Sequence, residues 1–264
     1  MIRRAFNEDK ACIIALLEHN EAMNCPMIAQ IKRFGFDKDF QDIWLQQNDE
    51  KQIQGVILRH FNQMYLYEVM QDADYEELAS FSCFLGADRI WSAESPLMAL
   101  QPFLSGFELK GSRHMILDHT QCLYEDHEVE AAGPEDCARL AAMIYGNEEF
   151  RQFYSSEEEI RIGISRRMAL GQCRYRVLRQ DGIIVSQAYT TMETESFATI
   201  GGVITDKAYQ NRGFAGKVVS ALARDIFKSG KKPNLFYHDE TAGRLYKHLG
   251  FTDVGGYGML RKKD

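Results

Sequence analysis

The sequence lacks the features of a membrane or secreted protein. No stretch approaches the roughly 18 to 20 consecutive apolar residues that a membrane-spanning helix needs, and no segment has the charged, apolar and cleavage-site regions of a secretory signal. The six cysteines are scattered without a CxxC pair, which is typical of reduced thiols in a cytosolic protein. These absences predict a soluble, cytoplasmic protein that does not bind membranes.

Clustered positive charge and metal-ligand spacings are also missing. The net charge is −7, and only short basic spots such as Lys231-Lys232 and residues 261–263 interrupt it. Because binding to DNA or RNA requires Lys and Arg clustered against phosphates, we expect no nucleic-acid partner. His114 and His119 lie five residues apart, at a predicted strand and its end. No His/Cys/Asp cluster has metal spacing and no Ser-His-Asp pattern stands out, so we expect no metal site.

Part of the sequence is repeated along the chain. The stretch that begins at Ile2 matches the stretch that begins at Val129, an offset of 127 residues, and the same offset carries residues 55–58 onto 182–185. Toward the end of each copy the offset becomes 144, so that residues 105–107 match 249–251 and residues 111–116 match 255–260. Four blocks in the same order predict two tandem α/β units, at 1–125 and 126–264, joined through the polar stretch 124–128.

The second unit alternates helix and strand patterns. Asp181-Gly182 predicts a hairpin turn, because both residues tolerate positive φ. Beyond position 213, apolar residues recur at helical spacing up to Ser229-Gly230, which predicts a helix with a glycine at its end. In chain order we predict helices near 134 and at 156–168, strands at 174–178, 183–191 and 197–205, the helix after 213, a strand at 234–238, a helix at 241–249 and a strand near 257–260.

The octapeptide QNRGFAGK at 210–217 opens that helix. A strand, a glycine turn and a helix N-terminus direct unpaired N–H groups and a positive dipole end toward one point, which predicts a phosphate site. Two nucleotide motifs do not fit. The P-loop GxxxxGK[ST] needs Gly at 211 and Ser or Thr at 218, where Asn211 and Val218 stand, and GxGxxG lacks its first glycine at 211.

The hexapeptide at 210–215 has the form Q/R-x-x-G-x-G/A and resembles the acyl-coenzyme-A diphosphate loop of the GCN5-related N-acetyltransferases. The preceding Gly202-Val-Ile-Thr resembles the family strand that pairs with the pantetheine arm. Residues 239–251, DETAGRLYKHLGF, resemble the family signature N-x-x-A-x-x-L-Y-x-x-x-G-F. The resemblance is specific over about 197–260, and it places the second unit near the FR47-like and glycine-acyltransferase-like branch.

This resemblance implies an α/β (α+β) fold of two tandem domains, each a mixed, mostly antiparallel sheet flanked by helices. It implies acetyl-coenzyme A as co-substrate, and Tyr246 as the group that protonates the coenzyme thiolate. Asp239 departs from the family, which usually has Asn there, and a carboxylate can only accept a hydrogen bond. The residues implied to contact the coenzyme are Val203, Ile204, Thr205, Gln210, Asn211, Arg212, Gly213, Phe214, Ala215, Gly216 and Asp239.

Further roles are assigned to residues near these motifs. A strand N–H near Val203 is expected to polarise the thioester carbonyl. The candidates for the base that deprotonates the amine are Glu193, Glu195 and His238, with a water relay as the alternative. The candidates for contacts with the coenzyme phosphates are Arg212, Lys217, Lys231 and Lys232.

The first unit lacks the glycine loop. Its counterpart, Asp72-Ala-Asp-Tyr, contains no glycine and carries acids that repel a diphosphate, and Pro102 lies opposite Tyr246 at the 144 offset. We expect this half to bind no coenzyme and to act as a scaffold or to shape the acceptor pocket.

The sequence thus predicts an acetyl-coenzyme-A-dependent N-acetyltransferase that acts on an amine of a small molecule or peptide. One alternative is the transfer of a larger acyl group to an amino acid. Another is a sensor that binds acyl-coenzyme A and has lost catalysis. The acceptor and the oligomeric state are not determined by the sequence.

Overall fold

The computed structural model describes residues 1–125 and 127–263. Asp126, in the predicted connection and at the start of the predicted second half, and Asp264 lie outside the described residues. The chain divides into two compact units, Met1–His114 with Asp253–Asp264, and Met115–Thr252.

Two series of elements along the chain have the same order, apart from one short element in each. The first series is β1 (Ile2–Arg4), α1 (Lys10–Glu18), α2 (Glu21–Phe34), β2 (Asp37–Lys38), β3 (Gln41–Gln47), β4 (Ile53–His60), β5 (Gln63–Glu68), α3 (Tyr75–Phe84), β6 (Arg89–Ala93), α4 (Glu94–Leu100) and β7 (Phe107–Ile116). The second is β8 (Val129–Ala131), α5 (Cys137–Tyr145), α6 (Glu148–Arg151), α7 (Glu157–Ala169), β9 (Tyr175–Gln180), β10 (Ile183–Glu193), β11 (Phe197–Thr205), α8 (Phe214–Lys228), β12 (Lys232–Tyr237), α9 (Glu240–His248) and β13 (Thr252–Lys262). The predicted tandem repeat therefore corresponds to a repeated order of helices and strands.

The first unit contains a sheet in the order β1-β3-β4-β5-β6-β13-β7, with β2 paired to β3. Its pairs are antiparallel along β1-β3-β4-β5, parallel at β5-β6 and antiparallel at β6-β13. Two apolar cores are built on it. In one core, α1 and α2 pack with residues such as Ile28 and Leu45. In the other, α3 and α4 pack with residues such as Leu78 and Leu97.

The second unit contains the sheet β8-β9-β10-β11-β12. It is antiparallel except at β11-β12. Val218 and Leu222 of α8 pack on one face with Leu235, while Leu140 of α5 and Ile164 of α7 pack on the other. The predicted mixed, mostly antiparallel sheets flanked by helices are confirmed in both units.

Local sequence signals account for several element boundaries. Asp181 and Gly182 have φ values of 50° and 78° in the β9-β10 turn, as the hairpin signal predicts. The Ser156 side chain accepts a hydrogen bond from the Glu159 N–H and caps α7. The predicted helix after 213 is observed as α8, which ends just before Ser229 and Gly230.

The compact units do not coincide with the halves 1–125 and 126–264 expected from the repeat. Residues 115–125 lie in the second unit, and the last strand, which we expected to complete the second unit, lies in the first. There β13 pairs with β6, in a register that sets Tyr257 opposite Ala93 and Leu260 opposite Ile90. Leu260 is fully buried in the core of α3 and α4, so this strand contributes to folding of the first unit.

The helices of the described residues do not combine the length and the apolar character that crossing a bilayer requires.

Candidate active site

The strands β11 and β12 separate partway along their length. Their parallel register pairs Phe197 with Lys232 and ends at Ile200 with Leu235, although β11 continues to Thr205 and β12 to Tyr237. Beyond Ile200, the pairing of β11 among the described residues is to β10. An opening between two parallel strands is thus formed at their carboxyl ends.

A β-bulge lies in β11 at this opening. The β10-β11 register sets Tyr189 opposite Gly201 and Gln187 opposite Ile204, so one residue of β11 is extra. Gly202 has φ +55°, and a Cβ atom built on it would lie 1.8 Å from Cε1 of Tyr189. Only glycine fits such a position, and the bulge sets the main chain of Gly202 and Val203 outside the regular ladder.

The predicted phosphate loop follows β11 directly. Gln210 ties the loop back to the strand, since its Nε2 donates to the Thr205 carbonyl over 3.2 Å. Asn211 and Gly213 have φ values of 61° and 78°, and Gly213 is the N-cap of α8. Among the described residues no acceptor takes a hydrogen bond from the N–H groups of residues 213–216. A 15-residue helix therefore presents free donors and its positive end at this loop.

Space is available over the loop. A Cβ atom built on Gly213 would meet no other atom within 4 Å. A cavity of about 540 Å³ lies between the loop and the described residues that flank position 126. Its described lining residues are Tyr124, Glu125, His127, Glu128, Gly213 and Lys217.

The predicted basic residues differ in position. Arg212 lies at the loop, 3.4 Å from the Ala208 carbonyl, and its guanidinium stacks on the Tyr209 ring. Lys217, in the first turn of α8, forms a 2.9 Å ion pair with Glu128. Both lie near the N-terminus of α8, and a contact of either with the coenzyme phosphates stays a prediction.

Lys231 and Lys232 lie elsewhere, so their assignment to the coenzyme phosphates was wrong. Lys232 pairs with Phe197, at the start of β11, about 26 Å along the strand from the loop. Lys231 forms an ion pair with Glu193, and Lys232 with Asp118. Both lysines follow the C-terminal end of α8, whereas the phosphate loop lies at its N-terminal end.

Tyr246 lies on α9, in the core beneath α8. Its side chain is 7% exposed, and its ring packs edge-on against Tyr237 and Phe251. Burial raises the pKa of the phenol above its usual value, and the carboxylates of Glu149 and Asp239 add to this rise. The phenol therefore keeps its proton at neutral pH, and no described residue is recorded as its hydrogen-bond partner.

Asp239 caps α9. Its Oδ1 accepts a hydrogen bond of 2.8 Å from the Ala242 N–H, which holds the pKa of this carboxyl below its usual range. Asn and Asp are both strong N-cap residues, so capping explains why an aspartate is compatible with this position. A coenzyme contact from Asp239 stays a prediction.

Residues 179–257 match the family model described as FR47-like protein. The solved structure of a GCN5-related N-acetyltransferase from Sphaerobacter thermophilus aligns with a TM-score of 0.67 over 99% of this chain and 95% of that chain, at 15% identity. This chain has the GCN5-related N-acetyltransferase fold, and residues 179–257 are similar to FR47-like protein.

Two further structures of this fold match along nearly the whole chain. A GNAT-family acetyltransferase from Colwellia psychrerythraea has a TM-score of 0.61 over 100% of both chains, at 14% identity. A tandem GNAT protein from the clavulanic acid biosynthesis pathway has a TM-score of 0.62 over 98% of this chain and 97% of that chain, at 9% identity. No curated protein matches the sequence significantly. The resemblance expected from the two motifs is confirmed at the level of the fold.

The candidate bases of this GNAT-fold chain fall in two places. Glu193 pairs with Ala198, about 13 Å along the strand from the bulge. Burial alone would raise the pKa of Glu193, but hydrogen bonds from Arg174 and Lys231 leave it below its usual value. Glu193 is thus a structural ion-pair partner, and its assignment as a base was wrong. Glu195 is exposed in the same turn.

His238 lies directly after β12, and its Nδ1 is 3.5 Å from Oε1 of Glu149 on α6. The charge of Glu149 also acts on the Tyr246 phenol, so these three groups lie close together. Glu149 was not among the residues predicted for the site. It carries no motif, and its proximity to His238 depends on a contact between residues 89 positions apart.

A polar cluster on the opposite face of the sheet was also missed. The Tyr175 and Tyr189 rings stack with centroids 4.5 Å apart, and the Arg167 guanidinium lies 5.4 Å from the Tyr189 centroid. Arg167 donates to the Tyr175 hydroxyl over 3.3 Å, and among the described residues no carboxylate lies within 4 Å of it. Because Tyr189 packs under Gly202, this cluster adjoins the bulge.

Proposed function

We propose that this chain is an acyl-coenzyme-A-dependent N-acyltransferase, with acetyl-coenzyme A as the donor. The observation that carries the proposal is the opening between β11 and β12 beside the helix start at Gly213. The active half is the predicted 126–264 domain, whose described site residues all lie in the unit Met115–Thr252.

The residues at this site suit such a donor. The N–H groups of residues 213–216 and the positive end of α8 are suited to a diphosphate, and Gly213 leaves room for it. The main chain of Val203 to Thr205 offers donors and acceptors to a pantetheine amide at the strand opening. Bound there, the donor supplies a thioester whose carbonyl carbon an amine can attack.

The chain itself would supply three functions. The Val203 N–H, beside the bulge, would donate to the carbonyl oxygen. Tyr246 is protonated at neutral pH, and its Oη would donate this proton to the leaving sulfur as negative charge develops there. Free amines titrate near pKa 10, so a base must take one proton, and the Glu149–His238 pair is our candidate.

Two contacts support the assignment of 1–125 as a degenerate domain without coenzyme. In α3 the Asp74 side chain accepts from the Glu77 N–H, so a carboxylate already occupies the helix N-terminus. The strands β5 and β6 also part after Tyr65 and Trp91, but Ser92 Oγ bridges the opening to the Leu66 carbonyl over 2.7 Å.

A second candidate function is acyl transfer to an amino acid. The observation that favours it is Arg167, a half-buried guanidinium beside the bulge with tyrosine neighbours and no carboxylate among the described residues within 4 Å. Arg binds carboxylates through two parallel hydrogen bonds, so this side chain could hold the carboxylate of an amino-acid acceptor. Larger acyl donors belong to this alternative.

A free-thiol assay tests these proposals together. Acetyl-, propionyl- and benzoyl-coenzyme A are each offered with polyamines, an aminoglycoside, a lysine peptide and glycine. Acetyl-coenzyme A should give the fastest thiol release with at least one amine. The second candidate would be favoured if the wild-type chain prefers a larger donor with glycine as acceptor. In that case Arg167→Gln should lose activity with glycine and keep its activity with polyamines. Coenzyme binding without any turnover would support a sensor instead.

A further inference from the structure

The first unit contains a cavity where β5 and β6 part. Their parallel register ends at Tyr65 with Trp91, and a cavity of about 200 Å³ lies beyond this point. This volume is several times the roughly 30 Å³ that one water occupies in the liquid, and it is smaller than the roughly 300 Å³ of the smallest drug-sized pockets. The cavity therefore suits a small molecule of a few heavy atoms.

Aromatic rings from three strands line this cavity. Tyr67 belongs to β5, Trp91 to β6 and Tyr257 to β13. The Trp91 and Tyr257 rings stack with centroids 6.4 Å apart and an interplanar angle of 20°. The Trp91 ring also stacks on Tyr65, with centroids 6.4 Å apart and an interplanar angle of 17°, and its indole N–H donates to Gln63 over 3.0 Å. Trp91 is thus the middle ring of a stack of three, which leaves Tyr67 and Tyr257 as the rings that can offer a face to the cavity. The faces of such rings carry negative potential and attract cations.

The charge at the cavity has one sign. Among the described residues that line it, Glu68 is the only charged one. The Tyr75 hydroxyl donates to the Glu68 carboxylate and holds it in place. Acidic and aromatic walls together favour a positively charged ligand.

This cavity is not a second copy of the proposed coenzyme site. Ser92 Oγ donates to the Leu66 carbonyl, so this main-chain acceptor at the strand opening already has a hydrogen-bond partner. Asp72 and Asp74 stand where a diphosphate loop would be needed, and both would repel phosphate.

We propose that the cavity bounded by Tyr67, Glu68, Trp91 and Tyr257 binds a small alkylammonium ion. The Tyr67 and Tyr257 rings contact the alkyl groups around nitrogen, Trp91 lies beside them in the stack, and the Glu68 carboxylate balances the charge. This is a ligand site of the first unit, and it does not depend on the proposed acyltransferase activity.

The chain has two tryptophans, Trp44 and Trp91, so Trp44→Phe leaves Trp91 as the only indole reporter. Choline is titrated into this variant, and its uncharged isostere 3,3-dimethyl-1-butanol is the matched ligand control. Choline should change the Trp91 fluorescence saturably, with an affinity at least tenfold higher than that of the alcohol. Calorimetry on the wild-type chain repeats the comparison without the Trp44 substitution.

Glu68→Gln keeps the shape of the side chain and removes its charge. It should weaken choline binding about tenfold, while Glu76→Gln, an exposed acid on α3, should leave the affinity unchanged. Thermal unfolding of each variant reports whether it is folded. The absence of saturable choline binding in both assays, equal binding of choline and the alcohol, or unchanged affinity in Glu68→Gln would each overturn the proposal.

Discussion

The ring of Tyr189 on β10 occupies the space that a side chain at Gly202 would need. A Cβ atom built on Gly202 would lie 1.8 Å from Cε1 of this ring, and the glycine also has φ +55°. The contact therefore requires glycine at this position of the bulge, directly before Val203. Tyr189 contacts Gly202 in the bulge and also belongs to the Arg167 cluster on the other face of the sheet.

We predict that Gly202→Ala destabilises the second unit strongly. Positive φ costs a non-glycine residue about 1–2 kcal/mol, and the clash with the ring adds overpacking of about 1–3 kcal/mol. Gly171→Ala is the matched control, because Gly171 has φ +61° but a built Cβ there meets nothing within 4 Å. Urea unfolding should show a loss of about 1 kcal/mol for the control and a clearly larger loss for Gly202→Ala. Equal losses would mean that the ring contact does not constrain the bulge.

We predict that Tyr246→Phe lowers kcat on the order of 100-fold, because the variant keeps the ring packing against Tyr237 and Phe251 but removes the proton of Oη. Coenzyme A affinity, measured by calorimetry, should change little. Thiol release in single turnover separates this step from product release. Unchanged turnover would make Tyr246 a core residue without a catalytic role.

We predict that His114 makes the first unit sensitive to acid. This histidine is 1% exposed, and burial lowers its pKa from 6.5 to about 4. Between these values the unfolded chain binds a proton that the folded chain does not, so stability falls as the pH falls from 6.5 to 4. The expected contribution is about 3 kcal/mol.

Urea unfolding at several pH values checks this contribution. His114→Gln should reduce the dependence of stability on pH in this window, whereas His119→Gln, which removes an exposed imidazole, should keep it. An unchanged slope in His114→Gln would show that other groups cause the acid sensitivity.

Local signals in the sequence predicted the loop and its helix. Glycine at 213 and the apolar stripe along α8 specify a helix start that depends only on neighbouring residues. The same holds for the turn at Asp181-Gly182 and the cap at Ser156. These elements could be predicted because backbone preferences and helical spacing act over a few residues.

Long-range pairing could not be predicted in the same way. The strand opening depends on where the β11-β12 register stops, and these strands pair residues 35 positions apart. The last strand has a counterpart in the first repeat, since Gly111 matches Gly255, so the sequence alone does not tell which sheet it joins. Lys231 and Glu193 were assigned to the site from their sequence neighbourhood, yet they meet at the opposite end of β11. Tertiary pairing decides all three cases.

The central claim is that the N–H groups at the start of α8 hold the diphosphate of a coenzyme. Calorimetric titration with coenzyme A into Gly213→Glu tests it, with Gly182→Glu as control, since both glycines have φ +78° and a built Cβ meets nothing within 4 Å at either. The two variants therefore add the same charge and the same backbone strain. We predict that the wild-type chain and Gly182→Glu bind with equal affinity, while Gly213→Glu loses at least 100-fold. Coenzyme A binding of equal strength in all three proteins would contradict the account.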